Sequence, residues 1–124
     1  MLRAILLLLA LSSTAAACGL SAPPAEPTQI RVANHSSRDF DRVLIGFPSQ
    51  QEEYGRIASG GVSVYQAVAE AYRYAYVEVQ VDTSRLVLQP IDYVGESLLG
   101  PGRFTYVLSL GSSGRELVLN LERD

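Results

Sequence analysis

Polar and apolar residues alternate along most of this chain, and that alternation restricts its possible folds more than any other property. Successive side chains of a β-strand point to opposite faces, so an apolar residue at every second position gives one face to a core and the other to water. The pattern is clearest over 73–82, where alanine and valine occupy one face and Glu78, Gln80 and Asp82 the other. The alternation therefore predicts an all-β chain.

Turn residues interrupt the alternation at intervals of roughly 8–12 residues, a spacing typical of sandwiches and barrels. One alternative is a short helical turn over 67–71, because Val64, Val68 and Ala71 also have helical spacing. We predict an antiparallel β-sandwich of about seven strands, of the immunoglobulin-like or transthyretin-like type. The predicted strands cover 30–32, 43–47, 54–58, 62–66, 73–82, 85–89, 104–110 and 117–121, the last two forming a hairpin.

The first 17 residues differ in character from the rest of the chain. A single arginine precedes the apolar run 4–11, and small residues then lead to Cys18, the only cysteine. This order of a charged start, an apolar stretch and a small-residue cleavage site is typical of a secretory signal peptide. The apolar run is much shorter than the roughly 20 residues of a membrane-spanning helix. We therefore predict that 1–17 is a cleaved signal peptide.

The residues Ala15-Ala16-Ala17-Cys18 resemble the lipobox of bacterial lipoproteins. The resemblance implies cleavage before Cys18 and attachment of lipid to that cysteine, with the membrane as a partner through the lipid. In a Gram-negative cell, Gly19 in place of aspartate implies the outer membrane, facing the periplasm. Prolines are frequent over 18–28, which we interpret as an extended tether that precedes a sandwich domain over 29–124.

The body of the chain also resembles a bacterial domain of unknown function with an immunoglobulin-like or prealbumin-like fold. The shared features are an Arg-Val-Ala-Asn opening at 31–34, Tyr54-Gly55, and Gly-x-Ser-x-Tyr at 61–65. The segments 89–96 and 100–106 are similar to parts of small uncharacterised bacterial lipoproteins. These resemblances imply a fold and carry no activity with them.

Residues suited to catalysis or metal binding are few. His35 is the only histidine, and its neighbour Ser36 does not indicate a triad, because a fold assembles triads from separate segments. The pairs Asp39/Asp41 and Asp92/Glu96 lack the further ligands or the cleft that calcium or glycosidase chemistry requires. A net charge of −3 provides no basic surface for nucleic acid. We predict no enzyme activity, no cofactor, no metal and no nucleic-acid partner.

One aromatic cluster suggests binding. By strict alternation, Tyr72, Tyr74 and Tyr76 share the solvent-facing side of the strand 73–82, where tyrosines suit protein contacts. A bulge near Ala75 that turns some of them inward is one alternative, and simple cover for cross-strand neighbours is another. We expect a lipid-anchored, non-enzymatic interaction or accessory module of the cell envelope, with a protein partner. A carrier that holds an apolar small ligand between its sheets is the alternative function.

Overall fold

The structure is a computed structural model that describes residues 26–91 and 96–124. These residues form eight β-strands in two four-stranded sheets that pack as a β-sandwich, and none of them is helical. The predicted signal peptide, lipobox and Cys18 lie outside the described residues, as does Asp92. The strands are β1 Thr28–Asn34, β2 Phe40–Gly46, β3 Gln51–Ile57, β4 Gln66–Val68, β5 Tyr76–Val81, β6 Ser84–Leu88, β7 Gly102–Leu110 and β8 Leu117–Arg123.

The strand order is β4-β1-β7-β8 in sheet A and β3-β2-β5-β6 in sheet B. Neighbouring strands are antiparallel except β1 and β7, which run parallel from Thr28–Gly102 to Asn34–Leu108. The prediction of antiparallel pairing is therefore wrong for the β1–β7 pair, whereas β1 and β4 are antiparallel as predicted. After β1 the chain crosses to sheet B instead of turning back beside it, so β1 can pair with a strand that arrives much later in the same direction.

Two predicted strands differ from the structure, and the predicted helical turn is absent. Over 62–66, Val62 makes only an isolated bridge, and the Ser63 hydroxyl instead of a backbone carbonyl accepts from Val32 N–H at 2.9 Å. Strand β5 begins at Tyr76, not at 73, and shortly before that segment the Ala71 carbonyl accepts from Leu99 N–H at 2.8 Å. Over 67–71, the first two residues belong to β4 and pair with β1.

The core lies between the two sheets and is built by the alternating positions that the sequence indicates. Val77 and Val79 of β5 are fully buried and belong to the same hydrophobic cluster as Tyr106 and Leu108 of β7. Tyr54 links the sheets directly, because its buried hydroxyl donates to the Ile30 carbonyl at 2.9 Å. Desolvation by burial raises the pKa of Tyr54 well above its ordinary value, so the phenol stays protonated at neutral pH.

The connections between strands gather at two opposite ends of the sandwich. In sheet B, Gly46 is the register partner of Gln51 and of Tyr76. In sheet A, Thr28 is the register partner of Val68 and of Gly102, so each set lies at one level along the strands. The contact of Tyr54 with Ile30 shows that these levels belong to the same end. We call it the tyrosine end; its connections are 47–50, 69–75 and the described parts of 89–101. The distal end carries the connections 35–39, 58–61, 82–83 and 111–116.

Candidate functional site: a tyrosine-lined groove

The tyrosine end carries a surface groove with a volume of about 390 Å³. The groove brings together all three tyrosines that the sequence singles out, although only Tyr76 belongs to a strand. Tyr72 and Tyr74 precede β5 in an irregular segment, so the three rings converge on one groove instead of forming a flat row. The lining residues are Gly46, Phe47, Pro48, Gln51, Tyr72, Tyr74 and Tyr76.

Tyr76 forms the wall of the groove over β2. Its cross-strand partner is Gly46, and a Cβ at that glycine would lie only 3.2 Å from the Tyr76 Cβ. The Tyr76 ring therefore occupies the space that a side chain at position 46 would fill. This is the second alternative for the tyrosines, in which a ring covers its cross-strand neighbour. Its hydroxyl donates to Glu78 Oε1 at 3.1 Å. Desolvation and this hydrogen bond raise the pKa of Tyr76, so its hydroxyl remains neutral at pH 7.

Tyr74 forms the exposed rim of the groove. Tyr74 is 45% exposed, more than any other tyrosine among the described residues. On its other side lies a smaller pocket of about 210 Å³, which Leu88, Pro90 and Ile91 complete. Tyr74 thus lines two apolar depressions.

The floor of the groove is continuous with the core. Phe47 is buried, and its ring stacks on that of Tyr106 with 6.1 Å between centroids. The Tyr106 hydroxyl donates to the backbone carbonyl of Tyr72 at 2.5 Å. These contacts fix the segment that carries Tyr72 and Tyr74 against the sandwich. The groove is therefore held in shape by core packing rather than by a loop alone.

Sequence reasoning did not find the β2 side of the groove. Phe47, Pro48 and Gln51 are about 25 residues from the tyrosines along the chain, and nothing in the alternation indicates which strand lies beside β5. One signal in the sequence could have indicated that β2 lies beside β5, namely a glycine in one strand and an aromatic residue in the other. Gly46 ends an apolar strand and Tyr76 begins another, and an aromatic ring commonly covers a cross-strand glycine.

The side chains of Asp39 and Asp41 both have hydrogen-bond partners within the described structure. Asp39 accepts from Ser59 N–H at 2.9 Å and pairs with Arg56 at 3.1 Å, whereas Asp41 accepts from Asp82 N–H at 2.8 Å. The two carboxylates thus cap separate turns at the distal end.

His35 is an exposed residue of the same end, beside a pocket that serine and glycine residues line. Glu96 lies in the opposite, tyrosine end, next to Arg73 in a third pocket. Within 26–91 and 96–124 there is no group of three or more histidine, cysteine, aspartate or glutamate side chains that could hold a metal ion.

Comparison with known proteins gives information on the fold alone. No protein-family profile matches the chain. No curated protein matches it either. Among solved structures, it is similar to one described as "NMR structure of the protein from Eubacterium rectale", with a TM-score of 0.57 and 10% identity over 80% of this chain and 91% of that one. None of the described residues forms a helix long and apolar enough to cross a membrane.

Proposed function

We propose that this protein is a lipid-anchored, non-enzymatic interaction module of the bacterial cell envelope, which binds an envelope protein in the tyrosine-lined groove. The observation that carries the proposal is the convergence of Tyr72, Tyr74 and Tyr76 on one apolar groove with a half-exposed rim. Tyrosine combines a rigid apolar ring with a hydroxyl that tolerates water, so it is enriched at protein interfaces and among the residues that dominate their affinity.

An open groove on a filled sandwich suits a protein partner better than an enclosed ligand. The large core side chains Tyr106, Phe104 and Phe40 are almost completely buried and occupy the space between the sheets. The groove lies outside that space, at one end of sheet B. A partner can therefore insert a side chain into it without any opening of the sandwich.

The second candidate function is a carrier of an apolar small ligand. The groove volume of about 390 Å³ falls within the range of roughly 300–1,000 Å³ that is typical of small-molecule sites. Its aromatic lining also suits such a ligand. Its position outside the two sheets gives a bound ligand less enclosure than a carrier provides, so we rank this function second.

The anchor is part of the same proposal. The lipobox-like residues Ala15-Ala16-Ala17 precede Cys18, and we propose that Cys18 carries the lipid. With Gly19 after the cysteine, we place the protein on the outer membrane, facing the periplasm. Two or more acyl chains would hold it there stably, whereas one chain gives only marginal binding.

We further propose that the sandwich is of the transthyretin-like type. In immunoglobulin constant-type domains the first two strands are neighbours in one sheet. Here β1 belongs to sheet A and β2 to sheet B, with β1 beside β4 and β7. The strand order therefore favours the transthyretin-like of the two predicted types, without implying any shared activity.

The anchor is tested by mass spectrometry and cell fractionation of the wild-type protein and Cys18→Ala. We expect an acylated wild-type protein in the membrane fraction and a soluble, unacylated variant. A wild-type protein without acyl mass that fractionates as soluble would contradict the anchor.

The groove is tested by crosslinking in intact cells, followed by capture and identification of the bound protein. We expect Tyr74→Ala to reduce recovery of the partner at least about tenfold, as truncation of an interface residue worth ~1.4 kcal/mol does. Val64→Ala is the matched control, because Val64 is 75% exposed and does not line the groove. Equal loss in both variants, or in neither, would contradict the groove as the binding site. Recovery of an apolar small molecule that only Tyr74→Ala loses would favour the carrier.

A further inference from the structure

Three of the six large apolar residues that are exposed in the described part of the chain lie in loops at the tyrosine end. Ile91 is 96% exposed, Leu98 is 49% exposed, and Tyr74 belongs to the same set. All three lie in the connections at this end, and Ile91 shares a pocket with Tyr74. Isolated exposed apolar residues are ordinary, but several in neighbouring loops of one end indicate a contact surface. We call Tyr74, Ile91 and Leu98 the apolar tip.

The distal end has the opposite character. Its connections 35–39, 82–83 and 111–116 consist mainly of serine, glycine, arginine and acidic residues. Of the described residues with large exposed apolar side chains, none lies in those three connections. The loops at the two ends therefore differ, with an apolar tip at one end and hydrated loops at the other. The other exposed apolar residues are Val62 and Val64, which follow the distal connection 58–61, and Val87 in β6.

The chain that leads back to Cys18 leaves the sandwich at the apolar end. The Pro27 carbonyl accepts from Gly102 N–H at 3.1 Å, and the Thr28 hydroxyl donates to the Gly100 carbonyl at 2.5 Å, which fixes the start of β1 there. Cys18 and Glu26 are eight residues apart, so even a fully extended chain spans at most roughly 26–29 Å between them. A lipid on Cys18 would therefore keep the start of β1, and with it this end of the sandwich, within roughly that distance of the bilayer.

We propose that the apolar tip docks on the lipid bilayer surface, an inference that rests on the proposed lipid anchor. Tyrosine and aliphatic side chains are favourable at the boundary between headgroups and acyl chains. The exposed Arg73 lies in the same connection, and a long arginine side chain can extend to the headgroups while its stem stays on apolar surface. Glu70 and Glu96 are near it in the same connections, so the contact depends on apolar burial rather than on a basic patch.

The anchor makes a small contact area sufficient. A tethered domain meets the surface at a high effective concentration, so docking does not need the affinity that a free protein would require. Docking also fixes the orientation of the groove. The partner proposed above then meets the groove close to the membrane surface, with Tyr74 shared between the groove and the apolar tip, while the distal loops face the aqueous compartment.

The test uses the full chain, purified from membranes and reconstituted into phosphatidylcholine vesicles with and without brominated acyl chains. The sequence contains no tryptophan, so Leu98→Trp, Ile91→Trp and Ser112→Trp each add a single fluorescent probe. Bound side chains lie within ~5–10 Å of the acyl boundary, so we expect bromine to quench Leu98→Trp and Ile91→Trp at least about twofold more than Ser112→Trp. Two independent probes at the tip guard against misfolding of one variant.

Acylation and flotation of the same samples separate this inference from the anchor. Equal quenching at the tip and at Ser112 in an acylated, floated protein would overturn docking and leave the anchor intact. Absence of acyl mass and of flotation would overturn both. Shielding of residues 91 and 98 in native membranes, but not in pure lipid, would assign the tip to a protein partner and overturn lipid docking.

Discussion

Asn34 shows how one buried side chain can organise a whole end of the sandwich. Its side-chain amide donates to the carbonyls of Arg38 and Ile57 at 2.7 and 3.0 Å. Its side-chain oxygen accepts from the Ser36 N–H at 2.9 Å and from the Ser36 hydroxyl at 2.7 Å. The residue thus ties β1, the turn after it and β3 together, and its amide has no capacity left for another partner.

We expect Asn34→Ala to lower the free energy of unfolding by about 3 kcal/mol, because it leaves several buried polar groups without their hydrogen bonds. Urea unfolding followed by tyrosine fluorescence measures the change. Asn120→Ala is the control: Asn120 is exposed on β8, and its loss should change the free energy by less than about 0.5 kcal/mol. Similar values for both variants would show that the Asn34 network is not stabilising.

The alternation predicts that the first strand ends near Asn34, but it does not indicate the hydrogen bonds that the Asn34 side chain makes. Asn34 begins the polar cluster that ends the first strand, and polar turn residues of this kind are normally expected at the surface. Its burial depends on the return of Ile57 from the next sheet, which no local pattern indicates. The same limit applies to Tyr74, since its exposure depends on where β5 starts.

At the scale of elements, the outer face of sheet B is held by cross-strand ion pairs. Arg85 of β6 donates through Nε to Glu78 of β5 at 2.8 Å, and Arg42 of β2 pairs with Glu53 of β3. The hydrogen bond from Arg85 holds the pKa of Glu78 below its ordinary value of 4.5, and that from Arg42 does the same for Glu53. The folded state therefore binds protons less readily than the unfolded chain.

The sign of the pH effect follows from these depressed pKa values. The stabilisation is complete above the unfolded-state pKa and is lost as the pH falls through the folded-state pKa. We expect the urea midpoint to fall between about pH 6 and pH 3, with a shallower fall in Arg85→Gln, where Glu78 has lost its partner. Arg115→Gln, in the exposed turn after β7, removes the same charge and should keep the wild-type slope. A steeper fall in Arg85→Gln would contradict the assignment.

Alternation predicts most strands because burial on one face is a local property of the sequence. The segments 43–47, 54–58, 85–89, 104–110 and 117–121 all overlap observed strands. The errors at 62–66 and 73–75 lie where residues alternate without a full ladder of backbone hydrogen bonds. The Ser63 hydroxyl accepts from Val32 N–H, and just before 73–75 the Tyr106 hydroxyl donates to the Tyr72 carbonyl. Such contacts depend on the tertiary fold and leave no mark on periodicity.

At the scale of the whole molecule, the groove and the core are one packed unit. Phe47 is part of the core cluster and also lines the groove, and Tyr106 contacts both its ring and the Tyr72 backbone. Which strands lie side by side in such a unit is largely a property of topology. The sequence pattern predicted a β-sandwich and one neighbouring pair, the hairpin of β7 and β8. The parallel pair β1–β7 and the end at which the chain leaves toward Cys18 became visible only in three dimensions.

We expect Phe47→Ala to lose about 3–5 kcal/mol of unfolding free energy, because it leaves a cavity at the end of the core. The same variant should lose partner capture, since the floor of the groove disappears. Tyr74→Ala should lose capture while its stability changes by less than about 0.5 kcal/mol. Urea unfolding and capture on both variants measure the contrast, and a stable Phe47→Ala that retains capture would contradict the packed floor.

The parallel pair also determines when this chain can fold during its synthesis. Strand β1 is complete at Asn34, but its long partner β7 ends only at Leu110, 76 residues later by the difference of the two numbers. At translation rates of about 5–20 residues per second, that gap lasts roughly 4–15 s. Sheet B has all of its strands by Leu88, yet only β1 and the short β4 of the facing sheet have then been made to cover its apolar face. We expect a nascent chain with this topology to complete its core only when nearly all of it has been made, which suits the proposed export, because a secretion channel threads unfolded chains.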